Sequence, residues 1–263
     1  MPKVLRIINR LNLGGPTYNA AYLSKYLSDK YETKLLAGMH DETEASSAFI
    51  TETLELDPEY IPDMYRSINP LKDRPAYNKI KQIIKAYQPD IVHTHAAKAG
   101  ALGRVAAKSC KVPIIVHTFH GHVFHSYFNP IKTRVFIEIE RYLARISTRI
   151  IAISNEQKRE LAEVYRIAKP EKIAMIPLGF DLDRFKTDKD AKRAKFRQDY
   201  NLADNEIAIG IIGRLVPVKN HTLFLKALKQ VAEKTSKSIR AFIIGDGEER
   251  ENINALCQQL QLS

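Results

Sequence analysis

Six of the eight histidines lie between residues 93 and 125. They are His93, His95, His117, His120, His122 and His125. Neutral imidazoles at strand ends can hydrogen-bond a polar substrate, and His120, flanked by Phe119 and Gly121, would place its ring beside exposed backbone. Such a group could also bind zinc, but no HExxH helix or cysteine partner accompanies it. Neutral histidines that contact a ligand or support the fold are therefore favoured.

A turn that contains Gly14 and Gly15 follows the first predicted strand and precedes a helix. Two glycines let backbone amides approach a ligand closely, and a helix N-terminus attracts anions. The turn is therefore a candidate phosphate site. The alternative is a tight strand–helix connection, because short glycine motifs are common.

A second loop, residues 213–220, carries Arg214 and Lys219 at the end of another predicted strand. A guanidinium and an ammonium at the carboxyl end of a parallel strand suit a pyrophosphate. The alternative is a solvated basic turn. A third loop, which begins at Gly245, has the sequence Gly-Asp-Gly and is also compatible with an ordinary turn.

Short apolar runs that predict strands alternate with amphipathic stretches that predict helices. The strands are expected at residues 4–8, 33–37, 90–93, 113–118, 149–153, 172–176, 207–212 and 240–244. The helices include 76–87 and 135–146, a charged surface helix at 183–197, and 222–232 and 249–260. This alternation predicts an α/β fold with a mostly parallel sheet covered on both faces.

Two helix starts are marked by their residues. Ser154 follows a strand and Gln157 comes three residues later, which is the pattern of a capping box. Pro130 suits the first turn of the helix upstream.

The chain is long enough for two domains. Residues 1–180 are interpreted as a complete Rossmann-like domain, 181–200 as a linker with a surface helix, and 201–263 as an incomplete second Rossmann-like domain. The second domain has only two strand–helix units, whereas a mononucleotide-binding half has three strands.

The net charge of the 263 residues is +11, with 44% hydrophobic and 27% charged residues, as in ordinary globular proteins. The basic balance suits phosphorylated ligands or anionic lipid, and the sequence has no nucleic-acid-binding signature. No apolar run approaches the about 18 residues of a membrane span, and no secretory signal is apparent. Two distant cysteines indicate free thiols, and we expect a cytoplasmic protein.

Seven landmarks together resemble one known family. In order they are Gly14-Gly15; residues 93–100, HTHAAKAG; residues 118–124, TFHGHVF; Ile153-Ser154; residues 176–181, IPLGFD; the loop from Gly213 to Asn220; and Gly245-Asp246-Gly247. The chain resembles the family-four retaining glycosyltransferases of the GT-B fold, particularly those of bacterial capsule, exopolysaccharide and lipopolysaccharide assembly. The resemblance covers all 263 residues.

The resemblance implies transfer of a sugar from a nucleotide diphosphate sugar, with retention, to a saccharide or polyprenyl-linked acceptor. It implies no metal and no other cofactor. Arg214 and Lys219 would hold the donor pyrophosphate, and His120 would contact the donor sugar near the reacting centre. The remaining implied contacts are Gly14, Gly15 and Gly245 on the donor and His95, Lys98 and His122 on the acceptor side.

The chain departs from the family pattern in three places. Pro16 follows the glycines where relatives carry Ala or Ser, and Leu178 stands where Asn is common. The family's Glu-x7-Glu element, which holds the donor sugar and ribose, does not occur before Ser263. Two alternatives stay open: a nucleotide-sugar 2-epimerase, and an inactive fragment that binds only nucleotide or membrane.

The predicted helix at 130–147 carries Lys132, Arg134, Arg141 and Arg145 around an apolar stripe of Val135, Ile139, Tyr142 and Ile146. Basic residues near an anionic leaflet each contribute about 1 kcal/mol, so peripheral contact with the inner membrane face is one interpretation. The more ordinary one is a helix whose stripe packs in the core.

Overall fold

The computed structural model describes residues 1–39, 47–65, 69–121 and 130–262. The chain divides into two units, Met1–Phe180 and Asp181–Ser263. Each unit has its own parallel sheet and its own apolar core.

The first unit contains a seven-stranded sheet in which every neighbouring pair is parallel. Its strands are β1 (Lys3–Ile8), β2 (Glu32–Gly38), β3 (Glu59–Ile61), β4 (Ile91–His95), β5 (Ile114–Phe119), β6 (Arg149–Ala152) and β7 (Ile173–Met175). The spatial order is β3-β2-β1-β4-β5-β6-β7. The chain therefore reverses its direction of growth between β1 and β4, which makes that point the topological switch of the sheet.

The connections between these strands are mainly helices. They are α1 (Gly15–Tyr26), α2 (Ala48–Thr53), α3 (Pro70–Tyr87), α4 (Ala97–Ser109), α5 (Pro130–Ile146) and α6 (Asn155–Arg159). A π-helical turn (Glu160–Val164) and a 3-10 turn (Pro170–Lys172) precede β7. The predicted strands and helices of this unit are confirmed, whereas β3 and α2 were not predicted.

The two faces of the central strands are covered by different helices. Ile7 of β1 packs with Ile80 of α3 and Ala106 of α4. Ile8, one residue later on the opposite face, packs with Ala20 of α1. Alternation of side chains along a strand produces this division, so that each apolar run faces helices on both sides, as expected for a parallel sheet.

Helix α4 approaches the sheet closely because it lacks side chains where they would collide. A methyl group at Gly103 would lie 2.7 Å from Cγ2 of Thr94, and one at Gly100 would lie 2.6 Å from Cε1 of His117. Both glycines are thus required by packing, although glycine inside a helix costs about 1 kcal/mol relative to alanine.

The two marked helix starts are found in the structure, with one change. Helix α5 begins at Pro130, and the amide of Gln157 donates to Oγ of Ser154 at 3.1 Å. Oε1 of Gln157 accepts from the amide of Ile153 at 2.9 Å, and not from the amide of the cap residue as the capping box predicts.

Helix α5 does not bury the stripe that its periodicity suggested. Val135, Ile139 and Tyr142 are exposed, while Leu143 and Ala144 are buried. The prediction of a core-packed stripe is therefore wrong, because the core-facing side is rotated about the helix axis and includes the charged residue Glu140. No helix in the described ranges is both long enough and apolar enough to cross a membrane.

The second unit contains a two-stranded parallel sheet, β8 (Ile207–Ile212) and β9 (Ile239–Ile244). Its helices are α7 (Asp183–Lys186), α8 (Lys189–Asp199), α9 (His221–Lys234) and α10 (Arg250–Gln259), with a 3-10 turn at Pro217–Lys219. The single surface helix predicted at 183–197 is wrong: the chain breaks it at Asp188, whose φ of 52° is left-handed. Residues 181–200 also group with this unit, and Phe196 of α8 packs edge-on against Phe242 of β9.

Candidate functional site

The carboxyl ends of β1, β4 and β5 lie side by side at the switch point of the first unit. Open parallel sheets bind ligands at such points. The Gly14-Gly15 turn comes after β1, His95 ends β4, and His120 directly follows β5. The topology thus brings these predicted site residues to one edge of the sheet.

The Gly14-Gly15 turn leaves open space above its backbone. Among the described residues, a methyl group at Gly15 would meet no atom within 4 Å, and one at Gly14 would meet only Cδ of Pro16, at 3.7 Å. The conformation of the turn is stabilised by buried Thr17, whose Oγ1 donates to the carbonyl of Asn12 at 2.7 Å. Packing within the chain does not require glycine at position 15, so an approaching ligand is a better reason for it.

The pleat of the sheet separates the histidines that the sequence grouped together. Thr94 pairs in register with His117, and Oγ1 of Thr94 lies 2.8 Å from Nδ1 of that ring. On the opposite face, Nε2 of His93 lies 2.8 Å from Oγ1 of Thr118. His93 and His95 share this second face because side chains two apart on a strand point the same way.

His95 connects the strand histidines to His120. Its ring lies 4.2 Å from that of His93, and its Nδ1 lies 2.9 Å from Nε2 of His120. Nε2 of His95 and Nδ1 of His120 are buried and, within the described part of the chain, have no hydrogen-bond partner. An unpartnered buried polar atom costs about 1–3 kcal/mol, so these two nitrogens mark a place where a ligand could supply hydrogen bonds.

Burial keeps the histidines neutral. It lowers the pKa of His93 to about 3 and the pKa of His120 to about 4, and it lowers the pKa of His95 and His117 well below the usual value. The charge of buried Arg6 lowers the pKa of His93 further. At neutral pH these rings act as hydrogen-bonding groups and not as cations.

Arg6 was not identified from the sequence. It pairs in register with His93, is only 2% exposed, and has its Nη1 3.5 Å from Oγ of Ser24. Burial lowers its pKa to about 10, so the guanidinium remains charged at neutral pH. Its position inside an apolar strand gave no sequence signal beyond the break in the hydrophobic run.

Lys98 is held by another helix. Its ammonium pairs with the carboxylate of Asp73 on α3, and both side chains are largely buried. Asp73 also accepts from the amide of Asn69 at 3.1 Å. The pair joins the first turn of α4 to the first turn of α3, which gives Lys98 a structural partner. His122, predicted with it on the acceptor side, lies outside the described residues, as does His125.

A second buried ion pair lies behind His117. Nη2 of Arg104 donates to Oε2 of Glu140 at 2.8 Å, and Nε of Arg104 donates to the carbonyl of Gly100 at 2.8 Å. Arg104 is fully buried. This pair joins α4 to α5 and was not predicted, because its partners are 36 residues apart in sequence.

The basic loop of the second unit follows β8. Arg214 and Lys219 are exposed, and within the part of the chain that the structure describes neither side chain has a hydrogen-bond or ion-pair partner. Asn220 has a left-handed φ of 51° and caps α9 by accepting from the amide of Leu223 at 3.2 Å. The loop thus presents two cations directly before a helix N-terminus.

The Gly-Asp-Gly turn supports this basic loop through the backbone. The amide of Gly213 donates to the carbonyl oxygen of Ile244 at 3.0 Å, and the amide of Leu215 donates to the carbonyl oxygen of Asp246 at 2.9 Å. A methyl group at Gly245 would overlap the carbonyl oxygen of Gly213. Glycine at 245 is therefore explained by the close packing of two loops.

A small cavity of about 170 Å³ lies beside the N-termini of α9 and α10. It is lined in part by His221 and Glu249. His221 is 3% exposed, and neither ring nitrogen has a hydrogen-bond partner among the residues described. Across the described ranges, no group of three or more His, Cys, Asp or Glu residues is arranged to hold a metal ion.

Comparison with known families matches both units. The model described as Glycosyltransferase Family 4 matches residues 13–184, and the one described as Glycosyl transferases group 1 matches residues 192–263. One relative is the UDP-Gal:alpha-D-GlcNAc-diphosphoundecaprenol alpha-1,3-galactosyltransferase of Escherichia coli, 35% identical over 191 residues. The alignment covers 72% of this chain and 49% of the relative, so the chain spans about half the length of that protein.

Solved structures share the fold. HepE of Anabaena, in complex with UDP and glucose, is similar with a TM-score of 0.75 and 20% identity, covering 100% of this chain and 67% of that one. A structure from Listeria monocytogenes described as a UDP-N-acetylglucosamine 2-epimerase has a TM-score of 0.62 and 15% identity, covering 98% and 66%. At these identities the likeness shows the fold alone, which is the predicted α/β architecture of the GT-B type.

Proposed function

We propose that this chain, which belongs to glycosyltransferase family 4, takes part in moving a sugar from a nucleoside diphosphate sugar to an acceptor with retention at the anomeric carbon. The names of its relatives favour a UDP-sugar as donor and a sugar on polyprenyl diphosphate as acceptor. The setting would be the assembly of a bacterial surface polysaccharide.

The observation that carries this proposal is the unpaired charge of the basic loop. Arg214 and Lys219 are exposed, and within the described ranges no acidic side chain neutralises them. Two cations held at the end of a parallel strand match the two charges of a diphosphate, and an arginine fork can bind phosphate oxygens in pairs.

The chemistry explains why cations are useful there. As the bond from the anomeric carbon to the diphosphate breaks, the leaving UDP gains negative charge, and Arg214 and Lys219 would stabilise it most in the transition state. The acceptor oxygen bonds to the anomeric carbon, and its proton passes to an oxygen of the departing phosphate. The proposal therefore needs no protein carboxylate as base.

The residues of the first unit would take the remaining roles. Gly14 and Gly15 would let the backbone approach the donor phosphates, and Nδ1 of His120 would hydrogen-bond the donor sugar. Lys98, with its partner Asp73, and His122 would lie on the acceptor side. The open space above Gly15 and the unpartnered nitrogen of His120 support these assignments.

The pyrophosphate role is tested by Arg214→Ala in the 263-residue chain. Hydrogen bonds to charged groups contribute about 1.5–3 kcal/mol, so the Kd for UDP, measured by calorimetry, should rise at least about tenfold. Arg193→Ala removes the same charge from exposed α8 and should leave the Kd unchanged. Equal affinity in the wild type and Arg214→Ala would contradict the role.

Labelled UDP-sugars distinguish transfer from its alternatives. Release of UDP that depends on a polyprenyl diphosphate sugar supports transfer. An epimerised sugar formed without acceptor would contradict it and favour a 2-epimerase. A titration with no response to UDP or to other nucleotides would favour an inactive fragment.

The exposed stripe of α5 supports contact with an anionic membrane surface. Ile131, Val135, Ile139 and Tyr142 recur at spacings of three and four residues and are between 43% and 77% exposed. Arg134 and Arg145 are exposed beside them. A helix with an apolar face and basic flanks lies in the interface of a bilayer, which is where a lipid-linked acceptor is found.

Sedimentation with vesicles tests this contact. The chain should bind phosphatidylglycerol vesicles more strongly than phosphatidylcholine vesicles, and Ile139→Asp should reduce the bound fraction several-fold. Val231→Asp alters a similarly exposed residue on α9 and serves as the control. No binding to the anionic vesicles, or the same loss in both variants, would exclude this use of α5.

A further inference from the structure

The four ring nitrogens of His95 and His120 have an unusual distribution of partners. Nδ1 of His95 and Nε2 of His120 lie 2.9 Å apart and share one hydrogen bond. The other two nitrogens, Nε2 of His95 and Nδ1 of His120, are buried and have no partner among the residues that the structure describes. By contrast, His93 and His117 each bond a threonine hydroxyl within the sheet.

Counting protons shows that the two rings are coupled. A neutral imidazole carries one proton, and one proton must lie between the two rings. If it is on Nδ1 of His95, the proton of His120 must be on its Nδ1. If it is on Nε2 of His120, the proton of His95 must be on its Nε2. The two rings therefore always have the same tautomer, and their unpartnered nitrogens are always one donor and one acceptor.

The neutral state that this count requires is secured by burial, which lowers the pKa of both His95 and His120. The position of His95 is also fixed. Its ring packs at a tilt against His93, with centroids 4.2 Å apart, His93 is bonded to Thr118, and the side chain of His95 is fully buried within β4. His95 is therefore a rigid support against which the ring of His120 rests, at a centroid separation of 5.2 Å.

We propose that His95 is a positioning residue, which fixes the orientation of His120 and couples the tautomer of His120 to its own, so that Nδ1 of His120 meets a hydroxyl of the donor sugar from a fixed position. His95 acts through His120 and does not itself need to touch the acceptor. The proposal rests on the proposed function for the identity of the ligand, but the coupling of the two rings does not depend on that function.

The coupling is tested by nitrogen NMR of the unliganded 263-residue chain labelled with 15N-histidine. Protonated and bare ring nitrogens differ widely in chemical shift, and the signals of His95 and His120 are assigned with His95→Asn and His120→Gln. We expect the same tautomer on both rings. Opposite tautomers would overturn the proposal, because they leave either two protons or none between the rings.

Two variants of His95 test the positioning role. Phenylalanine keeps a ring for stacking but removes the hydrogen bond, so His95→Phe should change the proportions of the two tautomers of His120. Asparagine places an amide near the position of Nδ1 and can hydrogen-bond Nε2 of His120 again, so His95→Asn should move the 15N signals of His120 back toward those of the wild type. His117→Asn changes a buried histidine on the opposite face of the sheet and should leave the tautomer of His120 unchanged.

Binding measurements connect the pair to the donor sugar. His95→Phe should raise the Kd for a UDP-sugar about tenfold while leaving the Kd for UDP alone unchanged, and His95→Asn should recover most of the loss. A merely structural role would weaken both ligands equally, and that result would overturn the proposal. If the wild type binds neither ligand, the proposed function fails, while the shared tautomer still decides whether the rings are coupled.

Discussion

The two units place their candidate site groups in opposite environments. In the first unit, His93 and His95 are buried and neutral, and the charged Arg6 beside them is buried as well. In the second, Arg214 and Lys219 are exposed to solvent, and among the described residues neither pairs with an acidic side chain. The first site is therefore built from directional hydrogen-bonding groups and the second from free charges.

This difference implies a division of labour. Hydrogen bonds made in a low-dielectric environment depend strongly on geometry and little on salt. Exposed charges attract an anion from a distance, but salt screens them over about 10 Å at 0.1 M ionic strength. Under the proposed function, the first unit would recognise the shape and hydroxyls of a sugar, and the second would capture a diphosphate.

The largest expected effect contrasts ion pairs of the two units. Arg104→Ala leaves the buried carboxylate of Glu140 without its partner, and such changes cost about 3–5 kcal/mol. Lys195→Ala removes one side of the exposed pair with Asp199 on α8, where an i,i+4 pair contributes about 0.3–0.5 kcal/mol. Urea unfolding followed by circular dichroism measures both. Similar losses of unfolding free energy in the two variants would show that the buried ion pair stabilises its unit no more than the exposed pair stabilises the other.

The next effect concerns pH. Because burial lowers the pKa of His93 from 6.5 to about 3, the unfolded chain binds a proton below pH 6.5 that the folded chain excludes. Stability therefore falls as pH falls through this window, by about 1.4 kcal/mol per pH unit for each such histidine, or roughly 2 kcal/mol between pH 6.5 and 5.

His93→Gln isolates that contribution. Glutamine can still bond Oγ1 of Thr118 but does not titrate. The slope of unfolding free energy against pH between 6.5 and 5 should therefore decrease by up to about 1.4 kcal/mol per pH unit, the equivalent of one proton. Urea titrations at several pH values give the slope. An unchanged slope would mean that His93 is not held neutral by the fold.

The fold was predictable where the signal was local. Strand β8 is a continuous run without polar side chains, and α3 buries Ala76, Ile80 and Ile84 as its periodicity predicts. The three-residue β3 is too short to show a period. The buried side of α5 was misjudged because it includes Glu140, which is paired there with Arg104, a residue contributed by another helix.

The candidate site was predictable as a location but not as an arrangement. Histidines at the ends of β4 and β5 had to meet at one edge, because those strands are adjacent and parallel. Which rings share a face depends on register, and the bond between His95 and His120 joins residues 25 positions apart. Arg6 was missed because a single charge in an apolar strand gives no motif.

The smallest expected effect on stability is at Gly15 of the first unit, whose surroundings differ from those of Gly245 in the second. At Gly245 a methyl group would overlap the backbone of Gly213, so Gly245→Ala must separate two loops, and overpacking of this kind costs about 1–3 kcal/mol. At Gly15 a methyl group would meet no atom of the described ranges within 4 Å. Alanine also suits the start of α1, so Gly15→Ala should leave the free energy of unfolding unchanged or raise it by up to about 1 kcal/mol.

Ligand binding by Gly15→Ala tests whether the donor phosphates approach the backbone of this turn. If the donor phosphates approach the backbone of the turn, the added methyl group should raise the Kd for a UDP-sugar about tenfold without any loss of stability. Gly245→Ala should weaken the same ligand only together with a measurable loss of unfolding free energy. Calorimetry and urea titration on both variants separate the cases. An unaltered Kd in stable Gly15→Ala would mean that the open space above this turn is not where the phosphates bind, and the donor would then depend on the second unit for its charge.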